Sequence, residues 1–394
     1  MPAWLLPDHV SDILPAEAQR LERLRRRLLD LYAGYGYALF QPPMLEYVEA
    51  LAVQGSKDLD RRSFKMADPL SGRMLGFRPD ITPQAARVDA HLLGQSGLSR
   101  LCYCASVVHA WPAGLLSHRE PIQLGCELFG FEGLQADLEI QELALASLDA
   151  AGITEVHLSL TDRALLAALR ESDTGFSAVE QPVLAALAAK DVAALAPLTA
   201  SLAPATSQAL MALVGLYGPA LGPTGVIARA RQQLPALPKI QQSLDRLSAV
   251  AESAVYVRHP QCRLTMDLAD LQGWDYHNGL LFSVYCPGHP DAIVRGGRYD
   301  GMGEAFGRAR PATGFSVELR VLAELSAAAS PVGEAHEQQA IAAPWQDDAD
   351  LREAIAHLRA QGRTVVCLPT QDFGAYAGPR LTLVSGLWQV APAA

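Results

Sequence analysis

Four short stretches carry side chains whose types and spacing could do chemistry. In "FRPDIT", Arg78, Asp80 and Thr82 occupy alternate positions, so an extended strand end aims all three the same way, and Pro83 suits the first turn of a following helix. Helix capping by Thr82 is the structural alternative. In "QLGCELF", Gln123, Gly125, Glu127 and Phe129 share one strand face, while Leu124, Cys126 and Leu128 share the other, a plausible core face. Two polar groups separated by a glycine leave room for something between them; the alternative is the polar outer face of an edge strand. In "QGWDYHNG", Asp275, Tyr276 and His277 crowd a tight turn, which could also be no more than a polar hairpin. In "VRGGRYDGM", adjacent glycines would let the backbone approach a ligand closely, or would simply make a bulged turn. Acceptors such as Asp80, Gln123 and Glu127 suit an ammonium group through charge-assisted hydrogen bonds. A phosphate would call for arginine, yet the strand before this face, "CYCASVVHAW", has none.

Composition narrows the classes. The 394 residues are half apolar and 19% charged, which describes a globular chain of two or three domains. A formal charge of −10 argues against a dedicated nucleic-acid surface. The basic run "RLERLRRRLLDLY" places Leu21, Leu24, Leu28 and Leu31 at helical spacing and reads as a solvated helix face. The six cysteines form no C-x-x-C pair and read as buried free thiols of a reducing cytoplasm. The scattered histidines predict no metal site, and nothing calls for a cofactor. The start of the chain lacks the pattern of a signal peptide. Val192 to Ala228 is uncharged, but Pro197, Pro204, Pro219 and Pro223 interrupt it, which predicts short buried helices rather than a membrane span.

These stretches must be positioned by the elements around them. Strands interleaved with helices and broken by hairpin-type turns predict an α+β fold with a largely antiparallel sheet. The core comprises residues 1–162 and 256–326. Residues 163–255, rich in Ala and Leu, read as an all-helical insert. Residues 327–394 contain a linker and a small C-terminal α/β unit: a strand at "AIAAPW", a helix at "DADLREAIAHLRAQG", and strands at "RTVVCLP" and "RLTLVSGLWQVAP".

Taken in order, "DILP", "GYGY…PPMLE", "FRPDITPQAAR", "QLGCELFG", "QGWDYHNGLLF", "GGRYDGM" and "TGFSVELR" resemble the motifs of histidyl-tRNA synthetases, from residue 9 to about 325 outside the insert. The resemblance implies a class II synthetase-like antiparallel sheet flanked by helices, dimerised around "GYGYALFQPPMLE". It implies that Asp80, Thr82 and Gln123 bind the α-amino group of histidine and that Glu127 contacts its imidazole, with Asp275, Tyr276 and His277 completing the pocket. It also exposes departures. Val108, His109, Ala110 and Trp111 stand where the family has Phe-Arg-x-Glu, whose arginine holds the α-phosphate of ATP. Gln272 replaces the arginine that meets the amino acid carboxylate, and His277 replaces the second tyrosine. The family's Gly-x-Glu-Arg becomes "ELRV", with Val321 at the arginine and Arg320 beside it as a possible substitute.

Removing one group that stabilises transition-state charge costs roughly 10²–10³ in rate, so these losses together predict no amino acid activation. The C-terminus is also too short for the synthetases' anticodon-binding domain, which predicts no tRNA. A synthetase-like dimer stripped in this way looks like the regulatory-subunit family of ATP phosphoribosyltransferase. That resemblance implies a non-catalytic, cytoplasmic chain that activates a short-form catalytic subunit at the first step of histidine biosynthesis. It also implies a homodimer within a hetero-octamer, histidine as the feedback effector, and no membrane. The rival expectation is a diverged ligase that loads an amino acid on a non-tRNA acceptor, using Arg78, His109, Arg295 and Arg298 as a rearranged positive site.

Overall fold

The computed structural model describes residues 4–51, 61–94, 96–112, 114, 117–270, 276–329 and 340–393. The chain divides into two compact units, Met1–Ser326 and Ala327–Ala394.

The first unit is built on a nine-stranded sheet. Its strands are β1 (Ala38–Leu39), β5 (Ser99–Ser106), β6 (Ile122–Phe129), β7 (Val156–Asp162), β8 (Tyr217–Pro219), β9 (Cys262–Asp267), β10 (Leu280–Tyr285), β11 (Val294–Arg298) and β12 (Ala312–Glu318). They lie in the order β1-β5-β6-β12-β11-β10-β7-β9-β8. The pairings are antiparallel except β1 with β5 and β7 with β9. One face is apolar. Leu124, Cys126, Leu128, Leu158, Leu160, Phe282, Val284 and Phe315 are buried on it beneath the helices Pro15–Gly34, Leu134–Ala150 and Pro238–Ala251, whose inward stripes include Leu24, Leu28, Ile140, Leu143, Leu244 and Leu247. At about 25 cal/mol per Å² of apolar surface, this face dominates the stability of the unit.

The other face is polar and positions the candidate site. The register aligns Leu101, Glu127, Gly314, Gly297, Leu281 and Thr161 in one cross-strand row. The next row holds Tyr103, Gly125, Ser316, Arg295, Ser283 and Ser159.

Residues 163–255 depart from the expectation of helices alone. Between helices Pro204–Gly215 and Val226–Gln233, Tyr217–Pro219 forms β8 and closes the sheet edge against β9. An edge strand tolerates Pro219 because one side of its backbone needs no ladder partner. A separate three-stranded sheet pairs β2 (Leu45–Tyr47), β4 (Met74–Phe77) and β3 (Lys65–Ala67).

The second unit is a four-stranded sheet in the order β14 (Val365–Leu368), β13 (Ile341–Pro344), β15 (Arg380–Val384), β16 (Leu387–Ala391). The stretch expected as one last strand is a hairpin, turned at Ser385–Gly386 with positive φ at both residues. Ile341, Ala343, Leu351, Ile355, Val365 and Leu381 form its core. Asp348 caps the helix Ala349–Ala360 and also accepts from Trp388 Nε1 at 3.2 Å. No helix among the described residues is long and apolar enough to cross a membrane.

Candidate functional site

Glu127 is the centre of the polar face. It is 1% exposed and accepts from Thr82 Oγ1 at 2.9 Å, from Tyr103 Oη at 3.0 Å and from Tyr299 Oη. Burial pushes its carboxyl up to about 8, outweighing the three donors that favour the anion; the nearby Asp80 charge pushes the same way. Each donor arrives on a different element: Thr82 opens the helix Thr82–Arg87, Tyr103 lies in β5, and Tyr299 follows β11. Gly314 faces Glu127 across β12, and a Cβ there would overlap the carboxylate.

The room left by Gly125 is filled from within the protein. Tyr103 lies directly opposite, and a Cβ on Gly125 would come within 2.6 Å of its hydroxyl and 2.5 Å of the Phe315 carbonyl oxygen. The glycine thus admits the phenol that reaches Glu127.

Asp80 and Gln123 form the second half of the site. Gln123 Nε2 donates to Asp80 Oδ1 at 2.8 Å, and Gln123 Oε1 accepts from the Ile81 amide at 2.9 Å. Asp80 Oδ1 also accepts from the Thr82 amide at 3.0 Å, so Asp80 rather than Thr82 caps the helix entry. Tyr276 Oη reaches Asp80 Oδ2 at 3.4 Å and covers this half. His277 stacks on Tyr276 at 4.3 Å, and Tyr299 meets both rings edge-on at 6.3 Å. Asp80, Thr82, Gln123, Glu127, Tyr276 and His277 are therefore one neighbourhood. Asp275 and Gln272 lie outside the described residues.

Tyr103 and Tyr299 were not among the expected site residues. Tyr299 lies within "GGRYD", a stretch whose glycines are its strongest sequence signal. Tyr103 looked like one more member of an apolar strand.

Arg78 is a correction. The strand ends at Phe77, so the alternation stops before it, and Arg78 is buried against the carbonyls of Ser106, Pro42 and Pro43 at 2.6–3.3 Å instead of facing the site. Arg298 is likewise spent on structure, paired with Asp137 and Asp300 at 3.0 Å. His109 Nε2 lies 2.9 Å from the Pro79 carbonyl oxygen. Of the four residues that could have built a rearranged positive site, Arg295 lines a cavity on this face.

At the nucleotide end, the positions expected to differ from the synthetases hold no cation facing the site among the described residues. Trp111 is 73% exposed. Val321 packs against the core from the helix Leu319–Ala329. Arg320 is tied to Glu17 at 2.5 Å and to Ser11 at 3.1 Å, and so does not substitute. Glu318 lies opposite Gln123 in the register, and its Oε1 is buried with no hydrogen bond among the described residues. Burial pushes it up to about 7. A carboxylate here adds repulsion toward phosphates to the loss of the arginines.

Comparison with known proteins agrees with this geometry. The family profile of histidyl-tRNA synthetase matches residues 9–322, and that of the ATP phosphoribosyltransferase subunit HisZ C-terminal domain matches residues 338–391. An ATP phosphoribosyltransferase regulatory subunit of Ralstonia pickettii is 50% identical over 393 residues, covering 99% of this chain and 98% of that one. Another, from Janthinobacterium, is 50% identical over 93% of this chain and 92% of its own length. Among solved structures, an ATP phosphoribosyltransferase regulatory subunit/histidyl-tRNA synthetase from Bacillus halodurans superposes with a TM-score of 0.80 at 26% identity, over 94% of each chain. A Nostoc histidyl-tRNA synthetase, 18% identical, shares the fold with a TM-score of 0.72 over 97% of this chain and 92% of that one. With a synthetase-like sheet over residues 9–322 and this C-terminal unit over residues 338–391, the chain belongs to the family of ATP phosphoribosyltransferase regulatory subunits.

Proposed function

We propose that this chain acts without catalysis of its own, as the subunit that a short-form ATP phosphoribosyltransferase catalytic subunit requires for activity, and that it confers feedback inhibition by histidine. What supports the reading is that Asp80, Gln123 and Glu127 gather on one polar face with Thr82 and Tyr276; on this reading Asp80 and Gln123 take an ammonium group and Glu127 an imidazole. The nucleotide half keeps none of the matching arginines. Histidine held there shifts the complex toward a less active arrangement. Such coupling is a difference in affinity between two states, typically about 1–3 kcal/mol, and it is reciprocal.

The assembly read here is a hetero-octamer of four regulatory and four catalytic chains, built on regulatory homodimers, in the cytoplasm, without tRNA. Homodimer formation is supported by the small sheet, where Leu45, Tyr47, Met66, Leu75 and Phe77 share one face and none is buried; Leu45 and Met66 are 42% and 46% exposed. An apolar face of this kind marks an interaction surface.

The test is reconstitution with the catalytic subunit. Activity should depend on adding this chain, and histidine should suppress it. Gln123→Ala with Glu127→Ala should leave assembly intact and raise the histidine concentration for half-inhibition by at least about ten-fold, the effect of losing charge-assisted hydrogen bonds. Inhibition unchanged in that variant would place the effector elsewhere.

A further inference from the structure

Beyond the Tyr276–His277 pair, away from Glu127, the polar face opens into a cavity of about 60 Å³ lined by Ser159, Thr161, Asp270, Ser283 and Arg295 together with those two rings. Its floor follows from register. Ser159, Ser283 and Arg295 are directly opposed on β7, β10 and β11, so their side chains rise from neighbouring strands about 4.8 Å apart. Thr161 enters from the adjacent row. Gly296 also lines the cavity.

Beside the acceptor Asp270 and Ser283, which hydrogen-bonds Tyr285, the cavity holds donors with no acceptor among the described residues. Arg295 is exposed and makes no ion pair or hydrogen bond among the described residues, and the same holds for the hydroxyls of Ser159 and Thr161. Asp270 has an interaction of its own, but no salt bridge joins it to Arg295 among the described residues. An arginine fork flanked by hydroxyls binds oxyanions through paired, charge-assisted hydrogen bonds. The volume suits a single small group.

We propose that Arg295, with Ser159, Thr161 and Ser283, forms an oxyanion subsite beside the histidine pocket, taking one carboxylate or phosphate group. Two sources share this chemistry. One is the α-carboxylate of the effector, which would replace the partner lost at Gln272; this arm rests on the histidine reading above. The other is a phosphate, and that arm is independent of the reading.

The full chain separates them by calorimetry with histidine and with histidinol, which has a hydroxymethyl group in place of the carboxylate, and by melting curves with inorganic phosphate against chloride of equal ionic strength. Because Arg295 is on the surface, Arg295→Ala should melt like the parent without ligand. Histidine weakened at least about ten-fold by Arg295→Ala with histidinol unaffected assigns the subsite to the carboxylate. A phosphate-specific rise in melting temperature that Arg295→Ala abolishes assigns it to phosphate. If that rise occurs while histidine fails to bind the parent chain, the subsite stands and the histidine reading falls. If histidine binds and Arg295→Ala changes neither its affinity nor any phosphate response, the subsite is overturned and the histidine reading stands. Equal weakening of histidine and histidinol, with no phosphate response, also overturns it.

Discussion

The two ends of one sheet face have diverged in opposite directions. Glu127 is met by three donors that come from three separate elements. At Glu318 a buried carboxylate oxygen has no partner among the described residues, the nearby arginine is turned to Glu17, and a valine packs against the core. A fully satisfied buried network is costly to disturb, and an unpaired buried polar group is costly to keep. The contrast teaches that loss of the ATP arginines need not disturb the rest of the face: a closed hydrogen-bond network persists a few residues from where those arginines are missing.

The comparison can be broken most severely at Gly314. Gly314→Ala would force Glu127 out of its nest, and overpacking of this kind costs about 1–3 kcal/mol. A melting temperature lowered by several degrees and loss of histidine binding in calorimetry are expected. An alanine variant with parental affinity would mean that Glu127 is not where the ligand is read.

Next in size is the proton on Glu127. Its carboxyl titrates near 8 in the folded chain against 4.5 for an unperturbed glutamate. The folded state therefore holds the proton more tightly, so stability falls as pH rises from about 4.5 to about 8 and is flat above. Glu127→Gln removes this loss, so the melting temperature of the variant should gain on the parent across that window. Ligand binding carries the opposite sign. The ionised carboxylate attracts a cationic ligand, so the ratio of histidine dissociation constants, Glu127→Gln over parent, should grow toward pH 8.

The smallest expected effect sharpens the other end. Val321→Arg restores one synthetase residue, yet Glu318 and the positions of His109 and Gln272 remain as they are. ATP–pyrophosphate exchange should stay at background in parent and variant alike. Recovery from this single change would show that the nucleotide end is only one residue from function.

Much of the retained half was legible before the fold. Alternation in "QLGCELF" placed Gln123 and Glu127 on one face, and motif order placed Asp80 and Thr82 beside them. Tyr103 was not legible, because a side chain's neighbour across a sheet depends on register, which is settled only when strands pair. Arg78 departs from the alternation because β4 ends at Phe77, one residue before it, which the sequence does not mark. β8 hid inside "LYGPAL", whose proline and glycine look like a turn unless the strand is known to lie at an edge.

The central claim is that this face binds an amino acid and has given up ATP. Calorimetric titration of the full chain with histidine and, separately, with ATP tests it most directly. Saturable binding of histidine with no heat from ATP is the predicted result. ATP binding that strengthens when histidine is present would contradict it.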